Sequence, residues 1–131
     1  MADLQNPGAL RKKIIIVEDD TFLGSLIVQK IKSAGYDVTL VSQGDQAMKV
    51  IRQEIPNLVI LDLLLQNITG YDILAEMRKD DKLKIIPVII LSNLGSQKDI
   101  KKAEDLGMSA FLIKATINVN EITDHIARVL Q

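Results

Sequence analysis

Residues 57 to 66 read NLVILDLLLQ; seven of the ten are aliphatic, and one, Asp62, is a carboxylate. A lone charge in an apolar setting is costly to bury, so such a residue is normally paired, placed at a strand end, or kept for chemistry. The run before it, LVIL, has strand length and no polar alternation, which is the pattern of a strand covered on both faces. Four other segments share this character: KKIIIVE (12–18), YDVTLVS (36–42), IPVIILS (86–92) and SAFLIK (109–114).

Helical patterns separate these segments. Leu23, Leu26, Ile27 and Ile31 are predicted to share one face, as are Ala47, Val50 and Ile51, and then Ile122, Ile126, Val129 and Leu130. Four helix starts are marked by a cap residue with an acid three positions on: Ser42 with Asp45, Thr69 with Asp72, Ser96 with Asp99, and Asn118 with Glu121. Gly35 and Gly107 stand where helix C-caps belong. Five βα units in series with short connections predict an α/β fold, a doubly wound parallel sheet with helices on both faces.

Composition agrees and removes several function classes. The chain has 131 residues, enough for one domain with a real core, and is 47% hydrophobic and 25% charged. A net charge of −1 argues against nucleic acid as this domain's ligand, because phosphate binding requires a basic excess. The absence of cysteine excludes disulfides and thiolate metal sites. The apolar runs are too short to span a bilayer, and MADLQNPGAL lacks the core of a signal peptide, so no membrane association and a cytoplasmic location are expected. Residues 1–11, polar with a Pro-Gly pair, are expected to form a flexible segment ahead of a domain at 12–131.

In a parallel α/β sheet the functional residues gather at the carboxyl ends of the strands. Strand one ends in Glu18-Asp19 with Asp20 next, strand three in Asp62, strand four in Ser92 and strand five in Lys114. Strand two ends in the uncharged Ser42. Asp20 taken alone reads as an N-cap, but carboxylates, a hydroxyl and an amine on four strand ends form a joint pattern. Clustered acids repel one another unless a cation joins them, and a hard divalent ion with oxygen ligands such as Mg²⁺ suits the set.

The motifs IIIVEDD, LVILDLLLQNITGYDIL, VIILSN and FLIKA, in this order and spacing, resemble the receiver domain of two-component response regulators. The resemblance runs from about Lys12 to Gln131 and implies the flavodoxin-like, chemotaxis-regulator-like sheet order 2-1-3-4-5. It implies Asp62 as phosphoacceptor, Glu18 and Asp19 with Asp62 as Mg²⁺ ligands, and the backbone carbonyl of Leu64 as a further ligand. Ser92 would be the switch hydroxyl, Lys114 a phosphoryl ligand, Phe111 the switch aromatic, and Gly70 the glycine that lets the following loop turn. The donor would be a phosphohistidine on a sensor histidine kinase or histidine phosphotransfer protein. The responding surface would be helix four, strand five and helix five, with homodimerisation or partner docking as its readout. Three positions depart from the common pattern: Gln66 and Ala115 stand where proline is usual, and Asn93 where a small residue is usual.

Other readings fit less well. A haloacid-dehalogenase-type Mg²⁺ phosphatase places its nucleophilic aspartate on the first strand, and EDDTF lacks the Asp-x-Asp-x-Thr spacing. A flavin or nucleotide binder has a glycine-rich loop where three acids stand here. A degenerate receiver acting as an unphosphorylated scaffold is a further alternative, although all five chemical positions hold workable residues. His125, the only histidine, falls on the last helix, away from the strand ends, and is expected at the surface. Neither the output pathway nor the cognate kinase is legible in the residues.

Overall fold

The central apolar segments become strands covered by helices on both faces, while the two edge strands are only partly covered. In the computed structural model, which describes residues 11–131, the strands are β1 (Lys13–Val17), β2 (Asp37–Val41), β3 (Leu58–Leu61), β4 (Val88–Ser92) and β5 (Ala110–Ile113). The helices are α1 (Thr21–Ser33), α2 (Ala47–Glu54), α3 (Gly70–Lys79), α4 (Gln97–Asp105) and α5 (Val119–Val129). All pairings are parallel, in the order β2-β1-β3-β4-β5. The doubly wound architecture expected from the sequence is the one observed. The segment expected to be flexible, 1–11, lies outside the described residues except for Arg11.

The period of two along each strand divides the core into two. Ile14 and Ile16 of β1, with Leu58 and Ile60 of β3, pack against Ile27 and Ile31 of α1 and Ile122 and Ile126 of α5. Ile15, Val17, Val59 and Leu61 point the other way, against Ala47 and Ile51 of α2 and Ile73, Leu74 and Met77 of α3. The four central aliphatic residues of β1 and all four of β3 are at most 1% exposed, which explains why neither strand alternates.

The helix boundaries follow the sequence signals in most places. Thr69 and Ser96 form complete capping boxes with Asp72 and Asp99. Asn118 caps α5 through the N–H of Asn120, and Asp20 caps α1 through the N–H of Leu23. Gly35 and Gly107 adopt φ of 99° and 89°, the left-handed conformation that ends a helix without a Cβ penalty.

Two expectations fail. Ser42 does not cap: the chain passes through a 3₁₀ turn at Gly44–Gln46, and α2 begins at Ala47 with no side-chain cap bond. The turn is placed by packing, because a Cβ on Gly44 would lie 2.7 Å from Ile68 and 3.1 Å from Leu65 of the loop after β3. Leu26, expected on the buried face of α1, is 44% exposed. It forms a second apolar stripe with Phe22, one turn earlier and 77% exposed, beside the buried one.

The caps offer a direct check. Ser96→Ala is expected to lower unfolding stability by about 1 kcal/mol, whereas Ser42→Ala is expected to stay within about 0.5 kcal/mol of the parent in urea denaturation. Equal losses at the two positions would mean that Ser42 caps after all.

Candidate functional site

Parallel pairing brings the strand ends to one rim. Val17 is in register with Leu61, so the residues that follow, Glu18 and Asp62, leave the sheet side by side. The N–H of Asp62 still bonds the Val17 carbonyl at 3.1 Å, and that of Glu18 bonds the Val41 carbonyl at 3.0 Å. Both acids are therefore held rigidly at the sheet edge and are nearly buried, Glu18 at 1% and Asp62 at 5% exposure. Asp19 is the more solvent-exposed of the three acids, and one carboxylate oxygen from each lies within 4.8 Å of the others.

Lys114, just beyond β5, reaches across to both buried acids. Its Nζ is 2.6 Å from Asp62 Oδ2 and also pairs with Glu18 Oε1. The remaining oxygens have backbone donors: Leu64 N–H to Asp62 Oδ1 at 3.2 Å, and Asp20 N–H to Glu18 Oε2 at 3.1 Å. Burial raises the Glu18 carboxyl above its ordinary value, and the Asp62 charge adds to this while Lys114 opposes it. For Lys114, burial by itself lowers the pKa, but the hydrogen bonds to Asp62 and Glu18 outweigh burial and leave the ammonium raised.

The donor set fits a hard divalent cation. Three carboxylates against one ammonium leave two negative charges in excess at the rim. Glu18 Oε1 is buried, and among the described residues Lys114 is its one counter-charge, shared with Asp62. Three carboxylate oxygens within 4.8 Å of one another, sharing one ammonium, suit an ion that keeps several waters.

Ser92 closes β4, the strand lying between those of Asp62 and Lys114, and is fully buried. Its Oγ accepts the Leu94 N–H at 3.3 Å, and its carbonyl accepts the Lys114 N–H at 3.0 Å. Phe111 pairs in register with Ile90 and packs, half-buried, against the same core as Ile90. It lies on the face of the sheet to which Ser92 also belongs. The Lys114–Ala115 peptide is trans, as is every described peptide bond. His125 is half-buried on α5 and takes no part in this rim.

Gly70 has a different reason from the one expected. Its φ is not left-handed; what the site requires is the absence of a side chain. A Cβ there would stand 2.2 Å from the Asp62 carbonyl oxygen and 2.8 Å from Leu63 Cα. The Gly70 N–H meanwhile bonds the Leu63 carbonyl at 2.9 Å, and Leu64 bridges Thr69. The start of α3 thus rests directly on the backbone of the candidate acceptor, and Asn67, at φ 71°, makes the turn between them.

Sequence reading placed Leu26 on the buried face and did not single out Phe22, although both are exposed. They stand on the first turns of α1, directly after the acidic rim, and were masked because α1 carries two neighbouring apolar stripes of which one is sufficient for the core. The i, i+4 spacing of Phe22 and Leu26, next to that of Leu23 and Ile27, is the signal that identifies them.

The five-stranded parallel sheet carries its acidic rim and Lys114 at the carboxyl ends of the strands. The model of the response regulator receiver domain matches residues 14–127, and the chain belongs to that family. It is 31% identical over 104 residues to the probable transcriptional regulator ycf27 of Guillardia theta, which covers 79% of this chain and 40% of that protein. It is 29% identical over 119 residues to the DNA-binding dual master transcriptional regulator RpaA of Synechocystis, covering 91% of this chain and 49% of that one. The chain thus spans less than half the length of these relatives. Among solved structures, the signal receiver domain of a putative Luxo repressor protein from Vibrio parahaemolyticus aligns with a TM-score of 0.85 and 33% identity, over 92% of this chain and 91% of that one. No helix among the described residues is long and apolar enough to cross a membrane.

The close approach at Gly70 leads to a firm expectation. Gly70→Ala is expected to cost about 2–3 kcal/mol in unfolding stability, because the methyl group meets backbone that cannot rotate away. A loss below about 1 kcal/mol, the ordinary helix-interior range, would show that the loop after Asp62 yields instead.

Proposed function

We propose that this receiver accepts a phosphoryl group on Asp62 from a phosphohistidine of a sensor histidine kinase or histidine phosphotransfer protein, in a Mg²⁺-dependent reaction. The observation that carries this reading is the pairing of a buried Asp62 with Lys114 beside an acidic cluster that is two charges in excess. Glu18, Asp19 and Asp62, with the backbone carbonyl of Leu64, would hold the ion. When bound, the ion supplies positive charge to the phosphoryl oxygens.

The chain's own residues do the rest. Asp62 is the nucleophile: a carboxylate oxygen forms the bond to phosphorus while the donor's P–N bond breaks and its electron pair returns to the imidazole. Lys114, already 2.6 Å from Asp62, stabilises charge on a transferred oxygen. Ser92 Oγ, now bonded to the Leu94 N–H, turns to the phosphoryl group, and Phe111 fills the space that this opens. The added charge of about −1.5 to −2 biases the surface of α4, β5 and α5, which then dimerises or docks a partner. The domain spans 12–131, and its only catalysis is of its own phosphorylation and dephosphorylation. A kinase donor draws on nucleotide, so the reading carries a cytoplasmic location.

The exposed pair Phe22 and Leu26 supports a helical protein donor. The two residues form an apolar stripe on α1 beside the rim, the kind of surface on which another helix lays its own apolar face.

Incubation with acetyl phosphate and Mg²⁺ is expected to add one phosphoryl group by intact mass, and Asp62→Asn to add none. A gain that persists in Asp62→Asn places the acceptor elsewhere. Replacing Phe22 and Leu26 together with alanine is expected to slow transfer from a phosphorylated histidine phosphotransfer protein by roughly tenfold or more. The rate with acetyl phosphate should not change. If both rates fall together, the stripe serves the site's integrity and not docking.

A further inference from the structure

Helix α4 is the least anchored of the five. Its sequence QKDIKKAED buries a single residue, Ala103. The pair Lys101–Asp105 on its surface is exposed and contributes little. What holds the helix is found at its two ends.

Beyond its C-terminus, the Gly107 carbonyl accepts from Arg78 of α3, from Nε at 3.2 Å and from Nη2 at 2.8 Å. Nη1 of the same guanidinium donates to the carbonyls of Lys84 and Ile86 at 3.2 and 2.8 Å. These are charge-assisted bonds to a half-buried group, and they clamp that end firmly.

The N-terminal end is held by one residue of α3, Tyr71. Its hydroxyl shares its proton between the Asp99 carbonyl at 3.3 Å and Asp99 Oδ1 at 3.4 Å. Lys102 Nζ lies 4.2 Å from the centroid of the same ring. The other oxygen of Asp99, Oδ2, closes the capping box with Ser96 Oγ at 2.7 Å and Ser96 N at 3.3 Å. Burial and the Asp99 charge raise the phenol above its usual value, so it remains a donor at neutral pH. A neutral donor at 3.3 and 3.4 Å at this end, against a guanidinium donating at 3.2 and 2.8 Å at the other, means that the N-terminal end yields first.

Tyr71 also directly follows Gly70, the residue whose backbone rests on the Asp62 carbonyl. Asp62, Gly70, Tyr71, Asp99 and the cap of α4 therefore form one continuous physical chain. We propose that Tyr71 is a positioning latch whose hydroxyl holds the first turn of α4 in place and sets how readily the segment from Ser92 to α4 yields when Asp62 is modified. This route is separate from the one through Ser92 and Phe111, and its trigger rests on the phosphoacceptor reading above. Both ends of the segment 93–95 are restrained, at Ser92 by the Leu94 N–H and beyond Ser96 by Tyr71. Movement of Ser92 must therefore work against the latch.

Tyr71→Phe removes the hydroxyl and keeps the ring, its packing and the Lys102 contact. On the full chain without ligand, hydrogen exchange of the α4 amides is expected to become several-fold faster, with α1 and α5 unchanged. With Mg²⁺ present, beryllofluoride is expected to bind roughly three- to tenfold more tightly, because less of its binding is used to displace α4. Unchanged exchange in α4 overturns the latch. Faster exchange with unchanged beryllofluoride affinity overturns its coupling to Asp62. If the parent chain binds no beryllofluoride, the phosphoacceptor reading fails, while the exchange comparison still decides whether Tyr71 holds α4.

Discussion

The ionic contact of Lys114 with Glu18 and Asp62 is the constraint around which the rim is arranged. Two carboxylates this well buried repel each other and are costly to desolvate, and one ammonium offsets only part of that. A well-packed apolar substitute is often as stable as a buried ion pair, so the arrangement is poorly explained by stability alone. It is better explained as a charge imbalance kept ready: an acidic pocket short of positive charge, with one cation already aimed at the central carboxylate. A divalent cation would supply the positive charge that the folded chain lacks at this rim.

Rigidity around Asp62 contrasts with looseness at α4. The backbone of Asp62 is held by the β1 ladder on one side and pressed by Gly70 on the other, so its carboxylate has little freedom. Helix α4, with its single buried residue, depends on a few polar bonds at its ends. A rigidly held strand end and a weakly anchored helix thus adjoin in one small fold, joined by the first turn of α3. With stability distributed this unevenly, a weakly held element can open locally while the core stays intact.

The αL residue Ile55 shows that other parts of the molecule also carry local cost. It ends α2 at φ 44°, a conformation unfavourable for a β-branched side chain, directly before Pro56. Its N–H still closes the helix onto the Ile51 carbonyl at 2.9 Å. The cost lies at the opposite end of the sheet from Asp62 and is held in place by the fold around it. Nothing at the candidate site depends on it.

Much of the architecture was legible in the residues, because burial on both faces of a parallel sheet leaves unbroken aliphatic runs, and helix ends need specific caps. Strand positions, the Thr69 and Ser96 boxes, and the convergence of Glu18, Asp19, Asp62 and Lys114 all follow from such local rules. The tertiary structure alone decided how those groups pair: that Lys114 bridges both buried acids, that Ser92 is occupied by the Leu94 N–H, and that Gly70 is needed for close approach and not for a turn. It also decided where local signals give way, since Ser42 loses its cap to the packing of Gly44 against Ile68, and Leu26 is left outside because Leu23 and Ile27 already cover the sheet. The physical reason is range. Periodicity and capping act within a few residues and are written in the chain, whereas contacts such as Tyr71 with Asp99, or Lys114 with Asp62, join residues 28 and 52 positions apart and exist only once the sheet has brought its strand ends together.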